Sequence, residues 1–94
     1  MALSHDYEFP ELSQIEGVPS PSLVIFPEKI RANIKLMIKL AAGPERLRPH
    51  VKTHKMAEVI ALQQEQGVRK FKCATLAEMR MLLNCRAKDI LMAM

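Results

Sequence analysis

The sequence predicts an α/β fold with parallel strands. Short apolar runs of strand length recur, stripes at helical spacing separate them, and few residues connect the two. An order βαβαβαβ built this way implies parallel strands joined by right-handed crossovers. Either an open doubly wound sheet or a closed barrel satisfies that order.

Residues 1 to 19 hold Pro10, Gly17 and Pro19 with little periodicity, and read as an irregular N-terminal arm. Ser20-Pro21-Ser22 then sets extended geometry ahead of Leu23-Val24-Ile25-Phe26, a continuous apolar run that predicts the first strand. Pro27 suits the first turn of a helix, where its missing N–H is not needed. Ile30, Ile34, Met37, Ile38 and Ala41 form the apolar stripe of that helix, Lys29, Lys35 and Lys39 lie largely off it, and Gly43-Pro44 ends it.

Leu47 to Lys52 is expected as the second strand, followed by a helix from about residue 56 to 66 that Gly67 stops. Lys70 to Ala74 is expected as the third strand. Thr75-Leu76-Ala77-Glu78 has the form of a capping box, with the Thr75 oxygen taking the amide of Glu78 and the Glu78 side chain reaching back to the cap. The helix it opens is expected to run to about Asn84. Asp89 to Met94 completes the set as a fourth strand, and its continuous Ile90-Leu91-Met92-Ala93 run predicts cover on both faces.

Several function classes are disfavoured. No Gly-x-Gly-x-x-Gly follows the first strand, where Phe26-Pro27-Glu28 stands, which argues against a dinucleotide site. The net charge is +4, but the 14 Lys and Arg are scattered and only one Tyr and three Phe are available to stack on bases, so nucleic acid is not an expected partner. An anionic small ligand such as a phosphate ester fits the balance. No apolar run approaches the ~18 residues of a membrane span, and the first residues lack the blocks of a signal peptide. Membrane association is therefore not expected, and the cytosol is the default location. Two cysteines, Cys73 and Cys85, are too few for a disulfide framework and are expected as reduced, mostly buried thiols.

The densest chemical signal is Arg48-Pro49-His50-Val51-Lys52-Thr53-His54-Lys55, which closes the second strand with polar, basic residues. It resembles the RPHVKTHK segment of the D-threonine aldolase and D-serine dehydratase-like enzymes, fold type III pyridoxal-phosphate proteins related to the alanine racemase N-terminal barrel. Pro21-Ser22-Leu23-Val24-Ile25, Cys73-Ala74-Thr75-Leu76-Ala77-Glu78 and Asp89-Ile90-Leu91-Met92-Ala93 resemble that family's first, third and fourth strand regions, in order. Met79 departs from the pattern, standing where an alanine is common.

The resemblance selects the barrel and implies that Lys52 carries pyridoxal 5′-phosphate as a Schiff base. A (β/α)8 barrel takes about 250 residues, so residues 20 to 94 are expected as its first β/α units, with the rest of the barrel and a C-terminal β domain lying outside this sequence. The implied activity is an amino-acid lyase or racemase acting on D-amino acids or β-hydroxy amino acids, by aldol cleavage, dehydration or racemisation, in a homodimeric parent. A divalent cation is possible in such a parent, but its ligands would lie in the C-terminal domain and none is assigned here. A non-catalytic pyridoxal-phosphate homeostasis protein of the same barrel type and a basic anion-binding module are the alternatives.

Barrel active sites sit at the carboxyl ends of the strands, which is where Lys52 is expected. His50 precedes it by two residues, so strand alternation puts both side chains on one face, the barrel interior beneath the cofactor. There His50 is a candidate to orient the lysine or pack against the pyridine ring, or is a satisfied core histidine. His54 falls in the following loop, where it meets phosphate or substrate or is simply solvated. A zinc site from His50 and His54 is not expected, because side chains four residues apart on a strand diverge by about 13 Å.

Overall fold

The computed structural model describes residues 11 to 93. Of the N-terminal arm, residues 1 to 10 lie outside the described part. The remainder is not wholly irregular, since α1 (Leu12–Ile15) forms one turn and Gln14 Oε1 accepts the Glu11 N–H at 2.9 Å. Three longer helices follow: α2 (Pro27–Ala41), α3 (Ala57–Glu65) and α4 (Leu76–Asn84). Strands β1 (Lys70–Cys73) and β2 (Asp89–Met92) pair in parallel, with Phe71 opposite Ile90 and Cys73 opposite Met92.

The expected first strand does not form. Residues 22 to 26 are extended but pair with no strand among the described residues, and Leu23 and Val24 are 78% and 49% exposed. An apolar run reports a tendency to be buried; a strand also needs a neighbour to accept its N–H groups. Phe26 instead starts α2, its carbonyl accepting Lys29 N and Ile30 N at 2.9 and 3.1 Å, with Pro27 in the first helical position as expected.

Ile34 is buried and Ile30, Met37, Ile38 and Ala41 are half-buried, so the predicted stripe of α2 faces the protein. Ala42 takes the left-handed conformation (φ 65°), and Gly43 N closes on Ile38 O at 3.0 Å, ending the helix. A short 3-10 turn over Pro44–Arg46 leads into the next extended segment. Gly67 (φ 98°) ends α3 as expected, with Val68 N returning to Gln63 O at 3.1 Å.

The second strand is shorter than expected. It joins β1 through one parallel bridge, His50 to Lys72, framed by Lys72 N to Pro49 O and Val51 N to Lys72 O, both 2.9 Å. Residues 51 to 54 then turn, so Lys52 is a loop residue and not the last residue of a strand. Sequential parallel order nevertheless holds: the His50 segment, β1, β2.

The core lies on one face of this sheet. Val51, Phe71 and Cys73 meet Ile60, Val68, Leu82 and Ala87, with Ile38, Leu47, Met79 and Met81 packed around them. Full burial of a side chain the size of Val51, Ile60, Phe71 or Leu82 stabilises the fold by roughly 1.5 to 3 kcal/mol. Strand alternation sends the neighbouring residues to the opposite face. His50, Lys72 and Leu91 are in register there, and Leu91 is 50% exposed. The expectation of a fourth strand covered on both faces is thus corrected: among the described residues only the helix side of β2 is covered.

Cys73 is buried within β1 and Cys85, at the end of α4, is half-buried; both are free thiols. Burial pushes both thiols above their ordinary range. No helix among the described residues is long and apolar enough to cross a membrane.

Candidate active site at the carboxyl ends of the strands

The carboxyl ends of the His50 segment, β1 and β2 bring together the loops that begin at Lys52 and Ala74 and the residue Ala93. Ala93 N donates to Cys73 O at 2.8 Å, extending the β1–β2 pairing by one bond. On the His50 segment the ladder stops one residue earlier, because His50 Nδ1 accepts the Lys52 N–H at 3.2 Å and withdraws that donor from the sheet. Lys55 N then returns to Val51 O at 2.9 Å, and Lys55 itself takes a left-handed φ of 51°. The loop is a closed turn in which Lys52 and Thr53 are exposed.

His50 is in register with Lys72 on the face away from the core and its Nδ1 meets the backbone of Lys52, but the face it was expected to share with the Lys52 side chain is not set by strand alternation, because Lys52 lies in the turn. Partial desolvation, followed by the neighbouring Lys52 and Lys72 cations, lowers its pKa, which favours the neutral ring. His54 is half-buried, not a freely solvated loop residue. Its Nδ1 accepts Met56 N at 2.9 Å, satisfying a donor at the start of α3, and burial lowers its pKa too. A neutral imidazole that accepts at Nδ1 carries its hydrogen on Nε2. That Nε2 is buried and has no partner among the described residues.

The two lysines of the motif differ sharply. Lys55 Nζ meets Glu78 Oε2 at 2.5 Å. Lys52 Nζ has neither hydrogen bond nor ion pair among the described residues, and its side chain stands in the open at the strand ends.

Glu78 was read from sequence only as half of a capping box. Thr75 Oγ1 does accept Glu78 N at 3.1 Å, but the reciprocal bond is absent. The Glu78 carboxylate takes Ala74 N at 2.9 Å and Lys55 Nζ instead, because both donors lie where β1 hands over to α4. It is 3% exposed, and the Lys55 bond, then the Ala74 N–H, hold its pKa down to about 2. The only sequence signal for this role was the position of Thr75-Leu76-Ala77-Glu78 directly after a strand.

A cleft of about 510 Å³ opens elsewhere, among Gln64, Arg69, Cys85, Arg86, Lys88 and Asp89 at the amino ends of the strands. In barrels active sites lie at the opposite, carboxyl end of the strands, which is the end where Lys52 stands. Among the described residues no group of three or more His, Cys, Asp and Glu side chains is placed to hold a metal ion.

Residues 25 to 93 match the family model of the alanine racemase N-terminal domain. The chain belongs to that family. No curated protein and no solved structure matches it. The alanine racemase N-terminal domain is a pyridoxal-phosphate-binding (β/α)8 barrel found in fold type III enzymes, and the parallel α/β arrangement described above agrees with the first part of such a barrel. The residues here fit the cofactor in two respects: a primary amine unpaired among the described residues stands at the carboxyl ends of the strands, and a buried Nε2–H, likewise without a partner among them, follows it in the same loop.

Proposed function

We propose that this chain supplies the cofactor-bearing lysine of a pyridoxal-phosphate-dependent lyase or racemase, with Lys52 as the attachment point and a D-amino acid or β-hydroxy amino acid as substrate. One observation carries the assignment to Lys52: of the two lysines in the motif, it is the one whose amine is unpaired among the described residues. An amine must present a lone pair to attack a carbonyl, and an ammonium already donating to a buried carboxylate does not. The substrate class rests on the resemblance of residues 48 to 55 to the D-threonine aldolase and D-serine dehydratase-like enzymes.

His50 fixes the backbone of Lys52 through Nδ1 and offers a neutral ring beside it. His54 offers a buried N–H donor suited to an anionic oxygen. When bound, pyridoxal phosphate supplies an electron sink for bond cleavage at the substrate α-carbon. Borohydride reduction of the protein with pyridoxal phosphate, followed by peptide mapping, tests the assignment. The label is expected on Lys52, and Lys52→Ala is expected to abolish the visible absorbance of the bound cofactor. A label on Lys55 would defeat the reading, and attachment without turnover of any D-amino or β-hydroxy amino acid would favour a cofactor-carrying protein over an enzyme.

A further inference from the structure

Two primary amines stand three residues apart in one loop, and either is chemically able to condense with an aldehyde. The condensation joins Nζ to the aldehyde carbon as a C=N bond, with the carbonyl oxygen leaving as water. Exposure does not separate the candidates, since the Lys55 side chain is 61% exposed despite its ion pair. What separates them is Glu78. Its carboxylate is buried, anchored at Oε1 by Ala74 N and held beside Thr75, so it is a fixed anion and not a mobile surface group. Lys55 reaches it from a left-handed backbone that the Lys55 N to Val51 O bond closes. The pair thus ties the loop after the His50 segment to the start of α4.

We propose that Glu78 is a positioning residue that selects Lys52 over Lys55 as the site of cofactor attachment, by holding the Lys55 ammonium as an ion pair. The proposal rests on the cofactor reading above. It accounts for a glutamate buried next to a solvent-facing loop: the carboxylate occupies the wrong amine and, by closing the loop on α4, presents the right one. The capping function alone requires only the Thr75 hydroxyl.

Pyridoxal phosphate followed by borohydride and peptide mapping, on wild type, Glu78→Gln and Glu78→Asp, tests this. Wild type is expected to carry the label on Lys52. In Glu78→Gln the Lys55 share is expected to rise by about tenfold, the scale of losing one hydrogen bond between charged groups. Glu78→Asp, which keeps the anion, is expected to restore most of the selectivity. Circular dichroism establishes that each variant is folded. A folded Glu78→Gln protein with an unchanged Lys55 share would overturn the proposal while leaving Lys52 as the cofactor lysine. A wild-type label on Lys55 would instead overturn the cofactor reading itself. Should Glu78→Gln fail to fold, limited acylation of wild type with acetic anhydride decides: Lys52 is expected to react several-fold faster than Lys55, and equal rates would overturn the selection.

Discussion

Lys55 Nζ and Glu78 Oε2 lie 2.5 Å apart across 23 residues of sequence, joining the loop after one parallel segment to the helix after the next. The pair places a buried carboxylate, an exposed lysine and the candidate cofactor lysine within one short stretch of the strand ends.

The Glu78 pKa falls from an ordinary 4.5 to about 2, first because of the Lys55 bond. A group with a depressed folded-state pKa stabilises the fold fully above its unfolded value, and the contribution is lost as pH falls toward the folded value. Wild type should therefore be more stable than Glu78→Gln at pH 6, with the gap narrowing between pH 4.5 and 2. Denaturant midpoints measured across that range check this; a gap of constant width would refute it.

His54 titrates with the same sign. Burial lowers its pKa from 6.5, so its contribution is present above 6.5 and lost as pH falls through the lowered value. Protonation also removes the Nδ1 acceptor that holds Met56 N. Long-range nitrogen-proton correlation spectra at pH 7 should show a neutral ring with its proton on Nε2, and a charged ring would contradict the geometry.

Thr75→Ala should destabilise the protein by about 0.5 to 2 kcal/mol through loss of the α4 cap, whereas Thr75→Ser should retain most of the stability. Urea denaturation of the two variants separates a cap from a packing effect, since both lose the same methyl group.

Phe71 and Leu91 are strand residues on opposite faces. Phe71 is fully buried, and its replacement by alanine should cost about 3 to 5 kcal/mol. Leu91→Ala, on the open face, should change stability by no more than about 0.5 kcal/mol. Comparable losses for both in urea titrations would mean that the Leu91 face is covered in solution.

Sequence by itself determined the alternation of helices and parallel segments, the ends of α2 and α3, and the place of Lys52 at the carboxyl ends. These are local matters: Pro27, Gly43 and Gly67 act on their own backbone, and the stripe from Ile30 to Ala41 is written at helical spacing. Tertiary structure decided the rest. Leu23 to Phe26 is as apolar as a strand but has no neighbour among the described residues to bond with, and the second strand stops early because the His50 ring takes the amide of Lys52. The ion pair of Lys55 was equally hidden, because its partner, Glu78, lies distant in sequence and is brought to Lys55 only when β1 and α4 pack against the turn that Val51 anchors. Periodicity and punctuation act over a few residues, whereas a hydrogen-bond partner is supplied by whichever segment the fold places alongside.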